Sequence, residues 1–171
     1  VICVVGTGIG GGTLIKKLSE KNVNIVAVEA GDNSKNSNNV TFENSGRDFG
    51  IRSTNSIQIG GTSNLWHGVL APLDECDFGA KSHIQNSGWC IKLKDLESYY
   101  KEASKILGLD SYPLFNIRNF PSRLKERIAD VCFNNNFLKN KIFQQPIPAH
   151  NFKRDINLLN KLNSKVTLHK D

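Results

Sequence analysis

Five apolar residues open the chain, Val1-Ile-Cys-Val-Val5, and a glycine turn follows at once, Gly6-Thr-Gly8-Ile-Gly-Gly11. Beyond the turn, Leu14, Ile15 and Leu18 recur at helical spacing among Lys16, Lys17 and Ser19. A second apolar run, Ile25-Val-Ala-Val28, closes on Glu29. Short apolar runs of this kind read as strands, and the 3.6-residue recurrence between them reads as an amphipathic helix. The pattern predicts a β-α-β unit over residues 1–31. Residues 30–57 are polar and include Asp32-Asn-Ser-Lys-Asn-Ser-Asn-Asn39. That run has too few apolar positions to pack and is expected as a surface loop.

Further along, Leu96, Tyr99, Tyr100, Ala103, Ile106 and Leu107 mark the apolar face of a helix over 95–108, ended by Gly108. Pro121 stands at the start of another helix over 122–134. Residues 143–148 read as extended, 155–162 as a short helix, and Lys165-Val-Thr-Leu-His169 as a late strand.

The first glycine turn carries the most specific chemistry. In a strand–GxGxxG–helix order, the first glycine permits a sharp turn and the second lets backbone approach a pyrophosphate. The third lets helix and sheet come together. The helix start offers open N–H groups to phosphate. Glu29, eighteen residues beyond Gly11, is placed to accept hydrogen bonds from a ribose diol. A turn that only packs a helix on a sheet has no use for that acid. A second cluster, Ile59-Gly-Gly-Thr-Ser-Asn-Leu-Trp-His-Gly68, supplies small residues and hydroxyls and reads either as a helix start facing an anion or as a glycine turn followed by a capped helix.

Composition narrows the classes. The net charge is +6, but Lys16, Lys17, Lys101, Lys105 and Lys125 are scattered along helices, which favours solvated faces over nucleic-acid binding. No stretch reaches the ~18 apolar residues of a membrane span, and no secretory leader is visible, which favours the cytoplasm. Cys3, Cys76, Cys90 and Cys132 lack metal-type or CxxC spacing. Cys3 is expected as a small buried hydrophobe. A chain that opens inside one strand and stops after another reads as part of a larger α/β protein.

Three blocks resemble the glucose–methanol–choline family of FAD-dependent oxidoreductases. They are the dinucleotide unit ending in Val28-Glu-Ala-Gly31, then Gly60–Gly68, then Leu73-Asp-Glu-Cys-Asp-Phe78 with Gly88-Trp-Cys-Ile91 and Asp95-Leu-Glu-Ser-Tyr-Tyr100. The third is similar to the Gly-Trp-Pro-Ile and Asp-Leu-x-Pro-Tyr-Tyr stretch of the sugar and polyol dehydrogenase and pyranose oxidase branch, with Cys90 where proline is usual.

The resemblance implies an incomplete, three-layer, Rossmann-like FAD/NAD(P)-binding fold. It divides the chain into a 1–31 dinucleotide unit, a 58–108 second FAD-contacting segment, a 109–164 substrate-domain insertion and a 165–171 late strand. It implies non-covalent FAD, since Leu65 stands where pyranose oxidases carry the flavin-linked histidine. Gly6, Gly8 and Gly11 are then expected at the pyrophosphate and Glu29 at the adenosine ribose. Gly60, Thr62, Ser63, Trp66 and His67 are expected along the flavin, with backbone N–H groups of this cluster near the ring; Ile9, Ala30, Gly31, Gly61 and Gly68 complete the cofactor-binding set. Ile15 replaces a small residue, implying looser helix packing.

The implied reaction is oxidation of a CH–OH donor, a sugar or other alcohol, with the electron acceptor undetermined. The family's catalytic histidine has no counterpart here; His83, His150 and His169 read as surface or loop residues. Two other readings remain open: a two-dinucleotide-domain NAD(P)/FAD reductase, and a non-catalytic nucleotide-binding module.

Overall fold

The computed structural model describes residues 1–34, 45–47, 50, 54–109, 115–116, 119, 121–122, 126 and 140–170. In chain order the elements are β1 (Ile2–Val5), α1 (Ile9–Ser19), β2 (Ile25–Glu29), a 3-10 turn (Gly61–Asn64), α2 (Glu75–Phe78), α3 (Leu93–Ile106), α4 (Phe152–Leu162) and β3 (Val166–Lys170). They fall into two compact units, Val1–His67 with His150–Asp171, and Gly68–Ala149.

The first unit is an α/β layer pair. Its three strands are parallel in the order β1-β2-β3, with Val5 beside Val28 and Glu29 beside Lys170. Val4, Ile25, Ala27 and Val166 project from one sheet face and pack with Ile15 of α1, Ile156 of α4 and Ile59. Side chains alternate along a strand, so Val5 points the other way and is 82% exposed. Cys3 follows the same alternation and is an exposed free thiol rather than a buried hydrophobe. Its face is the one that α1 and α4 leave open, so this unit has two layers among the described residues where three were expected.

Glycine sets how closely α1 approaches. A Cβ on Gly11 would lie 1.8 Å from the Gly6 carbonyl oxygen, and one on Gly12 would lie 2.6 Å from a ring carbon of Phe152. Ile15 is fully buried in the cluster between α1 and the sheet. Lys16 Nζ and His150 Nε2 both reach Asp155 Oδ2, at 2.8 and 3.1 Å, and tie α4 to α1 and to the chain entering α4. His150, with its ring also edge-on to Phe152 at 4.6 Å, is therefore part of the packing rather than a surface residue.

The second unit contains α2 and α3. Phe78 is buried and meets Trp89 edge-on at 6.0 Å. The helix expected over 95–108 begins two residues earlier, because the Asp95 carboxylate accepts the Lys92 N–H at 2.9 Å and so caps the first turn. Gly108, at φ +77, ends it in the left-handed region. Tyr99 is 66% exposed, not part of the apolar face. The partly buried positions Leu96, Tyr100, Ala103 and Leu107 repeat every three or four residues, and Tyr99 falls one step off that stripe.

Gln144 pairs with Leu70 in an isolated bridge, the backbone pairing within 143–148. Lys141 reaches Asp74 at 2.7 Å, and that carboxylate raises its ammonium above the usual lysine value. The helix expected over 122–134 lies outside the described residues except Ser122 and Glu126, as does Cys132. From His150 the chain belongs to the sheet unit, where α4 packs.

These clearances predict opposite effects at neighbouring glycines. Gly11→Ala forces helix and turn apart and lowers the unfolding free energy by about 1–3 kcal/mol. Gly10→Ala, whose Cβ meets nothing within 4 Å, raises it by about 0.4–1 kcal/mol through the unfolded chain. Urea denaturation of the two variants checks the pair.

Candidate functional site

Each glycine of the first turn has a different job. Gly6 takes φ +86, a conformation that side-chain-bearing residues avoid. Gly11 makes the close helix–turn contact already described. Gly8 is the N-cap of α1, and the nearest atom to an added Cβ there is Gly61 Cα at 4.0 Å. No side chain caps this helix and no acid lies in its first turn. The Gly6 N–H is spent on Val28 O at 2.7 Å and that of Thr7 on Glu29 at 2.8 Å. The N–H groups of Gly8, Ile9, Gly10 and Gly11 have no partner among the described residues. Four open amides at a helix start, with its partial positive charge, are groups that could hold an anion.

Glu29 ends β2 and is 9% exposed. Its Oε2 accepts from the Thr7 N–H at 2.8 Å and from the Thr7 hydroxyl at 2.5 Å. Its Oε1 takes no hydrogen bond among the described residues, yet it is not a buried orphan. Glu29 is one of the residues lining a cleft of about 410 Å³ at the carboxyl ends of the strands, with Val5, Gly6, Val28, Ala30, His169 and Lys170. Ligands of parallel α/β sheets bind at that edge. Gly31 carries the chain away from the cleft against residue 57, where an added Cβ would sit 2.3 Å from the Ile57 carbonyl oxygen. Asp32 follows, its carboxyl held below the usual aspartate value by Ser34, with smaller help from Lys170 and Lys153.

The second glycine cluster folds directly onto the first. An added Cβ on Gly61 would lie 2.9 Å from Gly8 Cα, and the Gly60 N–H donates to Thr7 Oγ1 at 2.9 Å. The two turns are in contact, although more than fifty residues separate them. Gly60, at φ +86, also abuts α4: a Cβ there would be 2.5 Å from the Lys153 nitrogen. Ser63 Oγ donates to Gly60 O at 2.6 Å and is buried. The Trp66 indole N–H donates to His150 O at 2.9 Å.

This geometry corrects one expectation for the second cluster. It is a single 3-10 turn of four residues and not the start of a longer helix, because Leu65 already closes it. The N–H groups of Gly60 and Gly61 are committed to Thr7 Oγ1 and Gln58 O, so neither is available to a ligand. Thr62 and His67 are exposed, and Gly68 belongs to the other unit. Ala30 and Gly6 line the cleft with Glu29. Thr7 is the residue that sequence reasoning passed over. Its signal was a hydroxyl at the variable position of GxG, next to a glycine that must turn sharply.

The chain matches no protein-family model, no curated protein and no solved structure. Among the described residues no helix is long and apolar enough to cross a membrane, and no cluster of three or more His, Cys, Asp or Glu is placed to hold a metal.

The contact between the turns is testable by itself. Gly61→Ala adds a methyl at φ +54 against Gly8 Cα and costs about 1–3 kcal/mol of stability. Trp66→Phe removes one hydrogen bond and costs about 0.5–1.5 kcal/mol. Guanidinium titrations of both variants give the two values.

Proposed function

We propose that the first unit binds the adenosine diphosphate half of a dinucleotide, and that the dinucleotide is FAD held without a covalent link. The observation that carries this reading is the pairing of four open amides at α1 with the free Oε1 of Glu29 on one strand edge. The amides suit a pyrophosphate, the carboxylate oxygen suits a ribose diol, and Val5, Val28 and Ala30 give the cleft apolar walls for a base. A Rossmann-like arrangement follows from this reading, since β1, α1 and β2 stand in the order such a site needs.

FAD is preferred over NAD because a second glycine turn touches the first, which extends the groove past the pyrophosphate. The exposed face of that turn, with Thr62 and His67, is where the rest of an extended cofactor runs. The wider assignment is an oxidoreductase acting on the CH–OH group of a sugar or other alcohol. Bound flavin supplies hydride acceptance in such a reaction. The residues of this chain bind and orient the cofactor; none is assigned as the base.

The reading predicts that the full chain takes up FAD, with flavin absorbance near ~450 nm, and binds ADP at the same site. Glu29→Gln weakens ADP binding by about 10- to 100-fold, as loss of a hydrogen bond to a charged group costs about 1.5–3 kcal/mol. Isothermal titration with ADP, FAD and NAD measures this. Equal affinity of wild type and Glu29→Gln for ADP counts against the site, and tighter binding of NAD than FAD counts against the flavin.

A further inference from the structure

Thr7 is fully buried, is not among the residues lining the cleft, and nevertheless makes three hydrogen bonds that meet at the candidate site. Its backbone N–H and its hydroxyl both donate to Glu29 Oε2, at 2.8 and 2.5 Å. The same hydroxyl oxygen accepts the Gly60 N–H at 2.9 Å. A hydroxyl has one proton to give, and here it goes to the carboxylate; the N–H of the second turn supplies the proton on its acceptor side. The direction of every bond in this chain is thus determined: Gly60 donates to Thr7, and Thr7 donates to Glu29.

The consequence lies in what is left over on Glu29. A carboxylate offers about four acceptor positions, two on each oxygen. Thr7 fills both on Oε2 and none on Oε1. Oε1 is then the oxygen left available to a ligand, with two acceptor positions for the two hydroxyls of a vicinal diol. A carboxylate without this anchor rotates about its last side-chain bond, because that torsion is broad and roughly two-fold.

We infer that Thr7 is the positioning residue that makes this site selective for a ribose with an intact 2′-hydroxyl. It acts through Glu29, and it links that selectivity to the second glycine turn through Gly60. The inference rests on the reading of the cleft as an adenosine diphosphate site and adds to it how the diol is recognised.

The experiment compares ADP with 2′-deoxy-ADP on the same full-length samples of wild type, Thr7→Val and Thr7→Ser, by isothermal titration. Valine keeps the shape of threonine and deletes the hydroxyl; serine keeps the hydroxyl. Wild type is expected to prefer ADP by about tenfold or more, as one charge-assisted hydrogen bond allows. Thr7→Val is expected to lose most of that preference, and Thr7→Ser to recover it. A purely structural role for Thr7 weakens both ligands equally and leaves the ratio unchanged, so partial unfolding of a variant cannot mimic the effect. If Thr7→Val keeps the wild-type ratio, the positioning role is wrong while the site stands. If wild type binds neither nucleotide, or binds both alike, the adenosine diphosphate reading fails first and takes this inference with it.

Discussion

Glu29 ends β2 with its carboxylate turned back onto the first glycine turn, where Thr7 holds one oxygen and leaves the other without a hydrogen bond among the described residues. The same Thr7 hydroxyl receives the Gly60 N–H. Three segments that are distant in sequence therefore share one buried oxygen. A buried hydroxyl with both roles filled is stabilising, whereas removing it strands a donor and an acceptor at once. The position of the second turn, the direction of the acid and the course of the first turn depend on each other through this contact.

Steric clearance reinforces the polar contact. Gly11 against Gly6 O, Gly61 against Gly8 Cα and Gly60 against the start of α4 are approaches that a Cβ would push apart. They bring the start of α1, the second turn and the start of α4 to one end of the sheet. Asn151 caps α4 by accepting the Lys153 N–H at 2.9 Å, so that helix begins where Gly60 needs room. Two helix starts and a tight turn at the carboxyl edge of three parallel strands concentrate backbone dipoles there. Because Gly60 and Gly61 spend their N–H groups internally, the open N–H groups at this end are those of α1.

The opposite sheet face has a different character. Cys3, Val5 and Val28 lie on the side that α1 and α4 leave open, and they keep β1 and β2 apolar on both faces. Parallel sheets normally bury both faces, which explains why such strands read as continuous apolar runs. That same continuity is why burial at Cys3 was overestimated: nothing in a run such as Val1-Ile-Cys-Val-Val5 distinguishes the covered side from the open one.

Local pattern was sufficient for the elements near the ends of the chain. The apolar spacing identified β1, α1, β2 and β3, and the GxGxxG order with Glu29 pointed to the carboxyl edge of the strands as the candidate site. These features are local because they follow from residue periodicity and from the backbone freedom of glycine. Which groups remain available to a ligand was not local. The open amides of α1, the committed ones of Gly60 and Gly61, and the bridging hydroxyl of Thr7 depend on contacts across more than twenty residues in one case and more than fifty in another. Hydrogen-bond satisfaction is a property of the packed chain, so only the tertiary structure could decide which oxygen of Glu29 is held by Thr7 and which is left over.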